Sequence, residues 1–269
     1  MDRFQFCASL VCGAALAALP RAAFAQATPA QRLDTPRAID MAGRLRMLSQ
    51  RCTKAYLQWG QSIAGDSART LLQESVSRYE AHLAALKTFM PNPAVQASLP
   101  QLQTLWSQFK ALLIGEPSRT GAAALYDANE TLQSAAHYLT VSYGNTNGSP
   151  LEYLIGLAGR QRMLSQRLAK NYGLVAAGLD SRPLRDQIAG DAEEFQRAMA
   201  QLAGAPLSTP AIRTTLELGQ GQWVFFDMAI KRQPNARGLE DVATTSERLL
   251  EVMDSLTALY EVALQDVLG

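Results

Sequence analysis

Cysteine and histidine are nearly missing from this chain, with three Cys and two His in 269 residues. Cys7 and Cys12 lie in the first dozen residues, so Cys52 stands alone beyond them and no internal disulfide is expected. A core of the size this length allows does not need one. Cys52 reads as a small buried hydrophobe rather than a reactive thiol. His82 and His137 lie far apart, without metal-ligand spacing. No haem-attachment CxxCH, nucleophile elbow or phosphate loop is present. An enzyme or a cofactor protein is therefore not expected, and no metal or cofactor is assigned.

Aromatic residues are also scarce, at 7%. Ala, Leu and Gln are plentiful, a mixture that favours helices over a β-sandwich. Neither sign of charge dominates, with 25 Lys+Arg against 24 Asp+Glu. Nucleic acid is thus not an expected partner, and there is no acidic solvating tail. Past the N-terminus no apolar run is long enough to cross a bilayer.

The first 25 residues read as a signal peptide. Arg3 supplies the positive start, residues 7–19 the apolar stretch, and Ala23-Phe24-Ala25 a small-x-small cleavage site. The mature chain is expected to begin near Gln26 and to be soluble in the periplasm. Leu10-Val11 ahead of Cys12 lacks the small residue a lipidation site wants.

A duplication organises the rest. Residues 42–51 read AGRLRMLSQR and residues 158–167 read AGRQRMLSQR. Lys54 and Lys170, then Tyr56 and Tyr172, extend the match. Beyond it only the apolar pattern persists, as in Tyr79, Leu83 and Leu86 against Phe195, Met199 and Leu202. Fold maintenance alone would accept many apolar residues at such positions. Identity concentrated in one arginine-rich segment indicates that its chemistry was retained.

Punctuation divides each half into four helices. Thr35-Pro36 caps the first, which is expected to run to about Ala64, where Gly65-Asp66 breaks it. The second ends before Pro91-Asn92-Pro93. A third is expected from near Pro100 to Gly115, and a fourth from Ala122 to Tyr143. Residues 144–148 form a linker. Ser149-Pro150-Leu151-Glu152 then reads as a capping box. Breaks follow at Asp180-Ser181, at 204–210 and at 233–238. The expectation is an all-α chain of two tandem up-down four-helix bundles, residues 26–146 and 147–269, related by a pseudo-two-fold axis.

A helix turns about 100° per residue. On that projection Met41, Leu45, Leu48, Cys52 and Trp59 form an ordinary core face. Ile39, Gly43, Arg46, Met47, Gln50, Lys54 and Leu57 form a second, mixed seam. The later copy repeats it with Ile155, Gly159, Arg162, Met163, Gln166 and Lys170, and turns Leu154, Leu157, Leu164, Leu168 and Val175 to its own core. A mid-helix glycine costs about 1 kcal/mol against alanine, so close approach of another backbone is its simplest reason. The two repeated helices are expected to face each other, bringing Arg46 and Arg162 together beside Gly43 and Gly159. Two such cations suit a planar anion between them, such as nitrate, nitrite or a carboxylate. The candidate ligand-binding set is Gly43, Arg46, Met47, Gln50, Gly159, Arg162, Met163 and Gln166. Arg44, Arg160, Lys54 and Lys170 are secondary candidates. Arg44 and Arg51 fall on the flank, where salt bridging is the plainer expectation. Ser49 and Ser165 point away from the seam and are expected to bond within the bundle.

The two decamers closely resemble the hallmark of the PilJ-type sensory domain, the N-terminal region of type IV pili methyl-accepting chemotaxis transducers. That domain is similar to the periplasmic sensor domain of bacterial nitrate/nitrite sensor kinases. The resemblance implies a four-helix bundle, and one nitrate bound on a two-fold axis by a glycine and an arginine from each copy. By position these are Gly43, Arg46, Gly159 and Arg162. The resemblance is specific over about a dozen residues in each half. Here both copies lie in one chain, without transmembrane helices, kinase or methyl-accepting region. Arg44 and Arg160 stand where the kinases carry a smaller residue. The expectation is a periplasmic anion-binding sensory or accessory protein, with nitrate or nitrite as ligand and a periplasmic or membrane protein as partner. The alternative is a structural or docking module for a chemoreceptor, pilus or transporter component, with its arginines paired to Asp or Glu.

Overall fold

A computed structural model describes residues 33–144, 150–206 and 209–268. The signal-peptide expectation and the linker from residue 145 onward lie outside the described residues. Those described are all-helical, with no strand among them. The helices are α1 (Thr35–Gly60), α2 (Gly65–Leu86), α3 (Pro93–Leu112) and α4 (Arg119–Gly144). They continue as α5 (Pro150–Ala176), α6 (Arg182–Ala203), α7 (Pro210–Ile230) and α8 (Ala236–Leu268). No helix among the described residues is long and apolar enough to cross a membrane.

Local sequence sets the helix starts. Asp34, rather than Thr35, caps α1: its carboxylate accepts from Arg37 N at 3.0 Å. Ser181 and Thr209 cap α6 and α7 by side-chain bonds to the third residue on. Two boundaries differ from the sequence expectation. α1 stops at Gly60, and the turn to α2 places Ser62 and Ala64 in the left-handed region, each at φ 57°. α3 starts at Pro93, not near Pro100, because Asn92 accepts from Val95 N at 2.9 Å and Pro93 fits the first turn. Pro100 sits inside α3 on its exposed side, where the helix tolerates the lost backbone bond.

Residues from Leu33 onward form one compact unit. α1 packs on α2 and α4, α3 on α4, α5 on α6 and α8, and α7 on α8. The most extensive packing is α1 along α5. That position explains why α1 is buried on nearly every side from Ala38 to Gln58. The two halves share internal contacts. α1 and α2 match α5 and α6 at an offset of 116, and α3 and α4 match α7 and α8 at 117. Tyr79 stacks on Trp106 at 3.6 Å between ring centroids, and Phe195 on Trp223 at 4.3 Å, tying α2 to α3 and α6 to α7. Tyr143 Oη donates to Phe89 O, and Tyr260 Oη to Leu202 O. The repeated tyrosines bond at the starts of α4 and α8: Tyr56 Oη accepts from Ser118 N, and Tyr172 Oη donates to Gln233 O. Gly121 and Gly238 lie against those phenol oxygens, with no room there for a Cβ. Leu154, Leu157 and Val175, expected on the core face, pack against the core but are only partly buried.

Candidate functional site

The glycines of the repeated segment make room for arginines. A Cβ on Gly43 would lie 3.4 Å from Arg46 Nη2 and 3.7 Å from Arg162 Nη2. On Gly159 it would lie 3.0 Å from Arg162 Nη2. Both guanidinium groups therefore reach Gly43, at the face where α1 meets α5. Arg46 and Arg162 are buried, at 3% and 0% exposure.

Their surroundings differ. Arg162 donates through Nη1 to Asp254 Oδ1 at 2.8 Å and through Nη2 to Asp40 Oδ1. Arg44 joins the same carboxylates, at 2.7 Å to each. Burial raises the Asp40 carboxyl, but Arg162 and Arg44 more than offset that and hold it at about 2. The same two arginines hold Asp254 below its ordinary value against burial. Glu261, half-buried beside Asp40, is pushed up to about 8, chiefly by desolvation and then by the Asp40 charge.

Arg46 has no carboxylate within ion-pair distance among the described residues. Its Nη1 lies 3.3 Å from His137 Nδ1, and its Nε, like that of Arg162, has no protein partner. Burial, then Arg160 and Arg162, push its pKa down to about 9. It is still a cation at neutral pH. Burial and Arg46 lower the His137 pKa as well. His137 is thus neutral at pH 7 and accepts from Arg46.

Two differences between the halves produce this asymmetry. Asp40 stands three residues before Gly43, whereas Gly156 stands three before Gly159. Asp254 on α8 stands where His137 stands on α4, seven residues past Glu247 and Glu130 respectively. Each carboxylate that neutralises Arg162 is replaced, on the Arg46 side, by a residue without negative charge.

The other sequence candidates differ in their surroundings. Met47 and Met163 are core residues. Lys54 crosses to α8, bonding Ser246 at 3.2 Å and Glu247, while Lys170 crosses to α4, bonding Asn129 at 3.0 Å and Glu130 at 2.7 Å. Arg160 bonds Glu194 and Arg51 bonds Glu247, so these two arginines are ion-paired. Ser49 and Ser165 each bond the carbonyl three residues back. Gln166 donates to Ser246 O at 3.1 Å, but its Oε1 has no protein partner. Both amide atoms of buried Gln50, one turn on from Arg46, lack one too.

Arg46 and His137 line a cavity of about 610 Å³ bounded by α1, α4, α5 and α6. Sequence reading missed His137, Asp40 and Asp254. The mismatch of Asp40 with Gly156 was the available signal, since it lies just before the repeated decamer and six residues from its second arginine. Cys52 is free and buried, and burial raises its thiol pKa.

A known protein family matches this chain. Its description is Type IV pili methyl-accepting chemotaxis transducer N-term (PilJ), and it matches residues 28–136 and 153–241. No curated protein and no solved structure matches.

Proposed function

From the premise that this chain belongs to the PilJ family, we propose that it is a periplasmic sensory module that binds a small planar anion at Arg46. Nitrate and nitrite are ligands of that shape and charge, and a protein partner receives the signal. The buried Arg46, without a carboxylate beside it, carries this reading. An unpaired buried charge is destabilising by several kcal/mol. A planar oxyanion removes that cost through paired N–H bonds to the guanidinium. Gly43 lets the group lie close to the helix, and Gln50 holds spare donor and acceptor atoms one turn away. The site is one-sided. Arg162 is already neutralised by Asp40 and Asp254 and serves to fix α5 against α1 and α8.

Thermal melting of the purified protein tests this. Millimolar nitrate or nitrite should raise Tm in a saturable way, beyond the effect of equal chloride. Arg46→Ala should remove the increment. An unchanged Tm with both anions would overturn the reading.

The salt bridges of Arg162 favour a second reading, in which the seam is a plain helix interface within a docking module. Arg46→Met would then raise the melting temperature, by removing an unneutralised buried charge, and no anion would alter it.

A further inference from the structure

The cavity at Arg46 exists because small residues occupy places that larger polar ones fill on the Arg162 side. Gly156 stands where Asp40 stands in the other half, Gly144 where Glu261 stands, and Ala198 where His82 stands. All three small residues line the cavity. Around Arg162, by contrast, Asp40 and Asp254 bond the guanidinium, and its charge acts on Glu261 and His82. That half of the seam supplies its own carboxylates. The Arg46 half has lost both the charge and the volume.

The lost volume is larger than a four-atom anion needs. About 610 Å³ lies within the roughly 300–1,000 Å³ typical of pockets for drug-sized ligands. Its walls are mainly apolar, with Ile39, Val141 and Leu157 on three different helices. Tyr153 at the rim is 61% exposed. Nitrate on Arg46 would leave most of this surface in water. Charge in the lining is three arginines, Arg46, Arg160 and Arg197, against one carboxylate, Glu194. An anionic ligand is therefore favoured along the whole cavity.

We infer that the cavity takes an organic carboxylate, with its carboxylate on Arg46 and its apolar body against Ile39, Val141, Leu157 and Tyr153. The ligand's carboxylate takes the place that Asp40 takes beside Arg162. Burial of apolar ligand surface adds affinity that nitrate has no means to gain. This inference rests on Arg46 being an anion-binding group, and the experiment separates the two.

The test is calorimetric titration of the purified full chain with nitrate, acetate, benzoate and 3-phenylpropanoate, with benzamide as the uncharged control. Benzoate or 3-phenylpropanoate should bind at least ten-fold more tightly than nitrate or acetate, and benzamide should not bind. Arg46→Ala should abolish binding of every anion. Val141→Trp fills the apolar end. Val141 is 41% exposed, so the variant should keep the wild-type circular dichroism. It should lose the aromatic carboxylates by ten-fold or more while retaining nitrate. Nitrate binding as tightly as the aromatic carboxylates would overturn the inference and leave the small-anion reading standing. Equal benzoate affinity in Val141→Trp with its fold intact would also overturn it. No binding by any anion would overturn both.

Discussion

At the residue scale, the same arginine has two different fates in the two copies, decided by what stands opposite it. Asp40→Gly copies into the first half what Gly156 is in the second. It strips Arg162 of one of two carboxylates, and breaking such a buried pair costs about 3–5 kcal/mol. Urea unfolding should show that loss. Added nitrate should recover part of it, and the variant should bind one more anion per chain than the wild type. A variant as stable as the wild type would show that Asp40 is not the counter-ion.

His137 adds a pH dependence at the same scale. Its pKa in the folded protein lies below the ordinary value of 6.5, so the unfolded chain binds the proton more readily. Stability from this group is complete above about pH 6.5 and falls as pH drops through the lowered value. Protonation also adds positive charge beside Arg46 and ends its role as acceptor. Anion affinity should therefore rise from pH 8 to pH 5, and His137→Gln should flatten that rise. Titration calorimetry at the two pH values measures it.

At the scale of elements, α3 and α7 make an informative pair. They share Trp106 and Trp223, and Phe109 and Phe226, on their buried faces. On the outer face α7 carries Leu218, Val224, Phe225 and Met228, all more than half exposed. α3 carries Gln101, Ser107, Gln108 and Ala111 at those positions. The fold does not need the apolar set. Phe225→Gln with Met228→Gln should change unfolding free energy by no more than about 0.5 kcal/mol per site. Chemical denaturation checks this, and a loss of 2 kcal/mol or more would mean the face is packed.

Much of the element scale was legible in the sequence. Asn92, Ser181 and Thr209 have short side chains that reach their own helix starts, so caps are local facts. Pro100 misled because a proline reads as a helix start, whereas here the Asn92-Pro93 cap lies a full two turns earlier. The end of α1 misled because Ser62 and Ala64 adopt left-handed backbone that glycine would normally take.

At the scale of the whole molecule, charged side chains cross between the halves. Lys54 reaches Glu247, Lys170 reaches Glu130, and Arg162 reaches Asp40. Glu247, like Asp40, is held at about 2, with Lys54 and Arg51 outweighing its burial. These carboxylates bind protons less readily folded than unfolded. Their contribution is complete above about pH 4.5 and is lost as pH falls toward 2. Acid should therefore weaken the joint between the halves along with each half. Unfolding followed by circular dichroism should stay a single transition while its midpoint falls steeply below pH 4. Glu247→Gln should reduce the slope of that fall. An unchanged slope would show that these pairs do not set the acid limit.

The sequence by itself determined the helical character, most helix starts, the duplication, and the pair of arginines beside glycines. Those depend on periodicity, caps and repeated residues, which act over a turn or two of chain. Only the tertiary structure decided which arginine is neutralised. Asp40 and Asp254 come to Arg162 from 122 and 92 residues away in sequence, and no local pattern states that distance. Packing α1 against α5 sets a carboxylate opposite one copy and a glycine opposite the other. The electrostatic asymmetry of the seam follows from that placement.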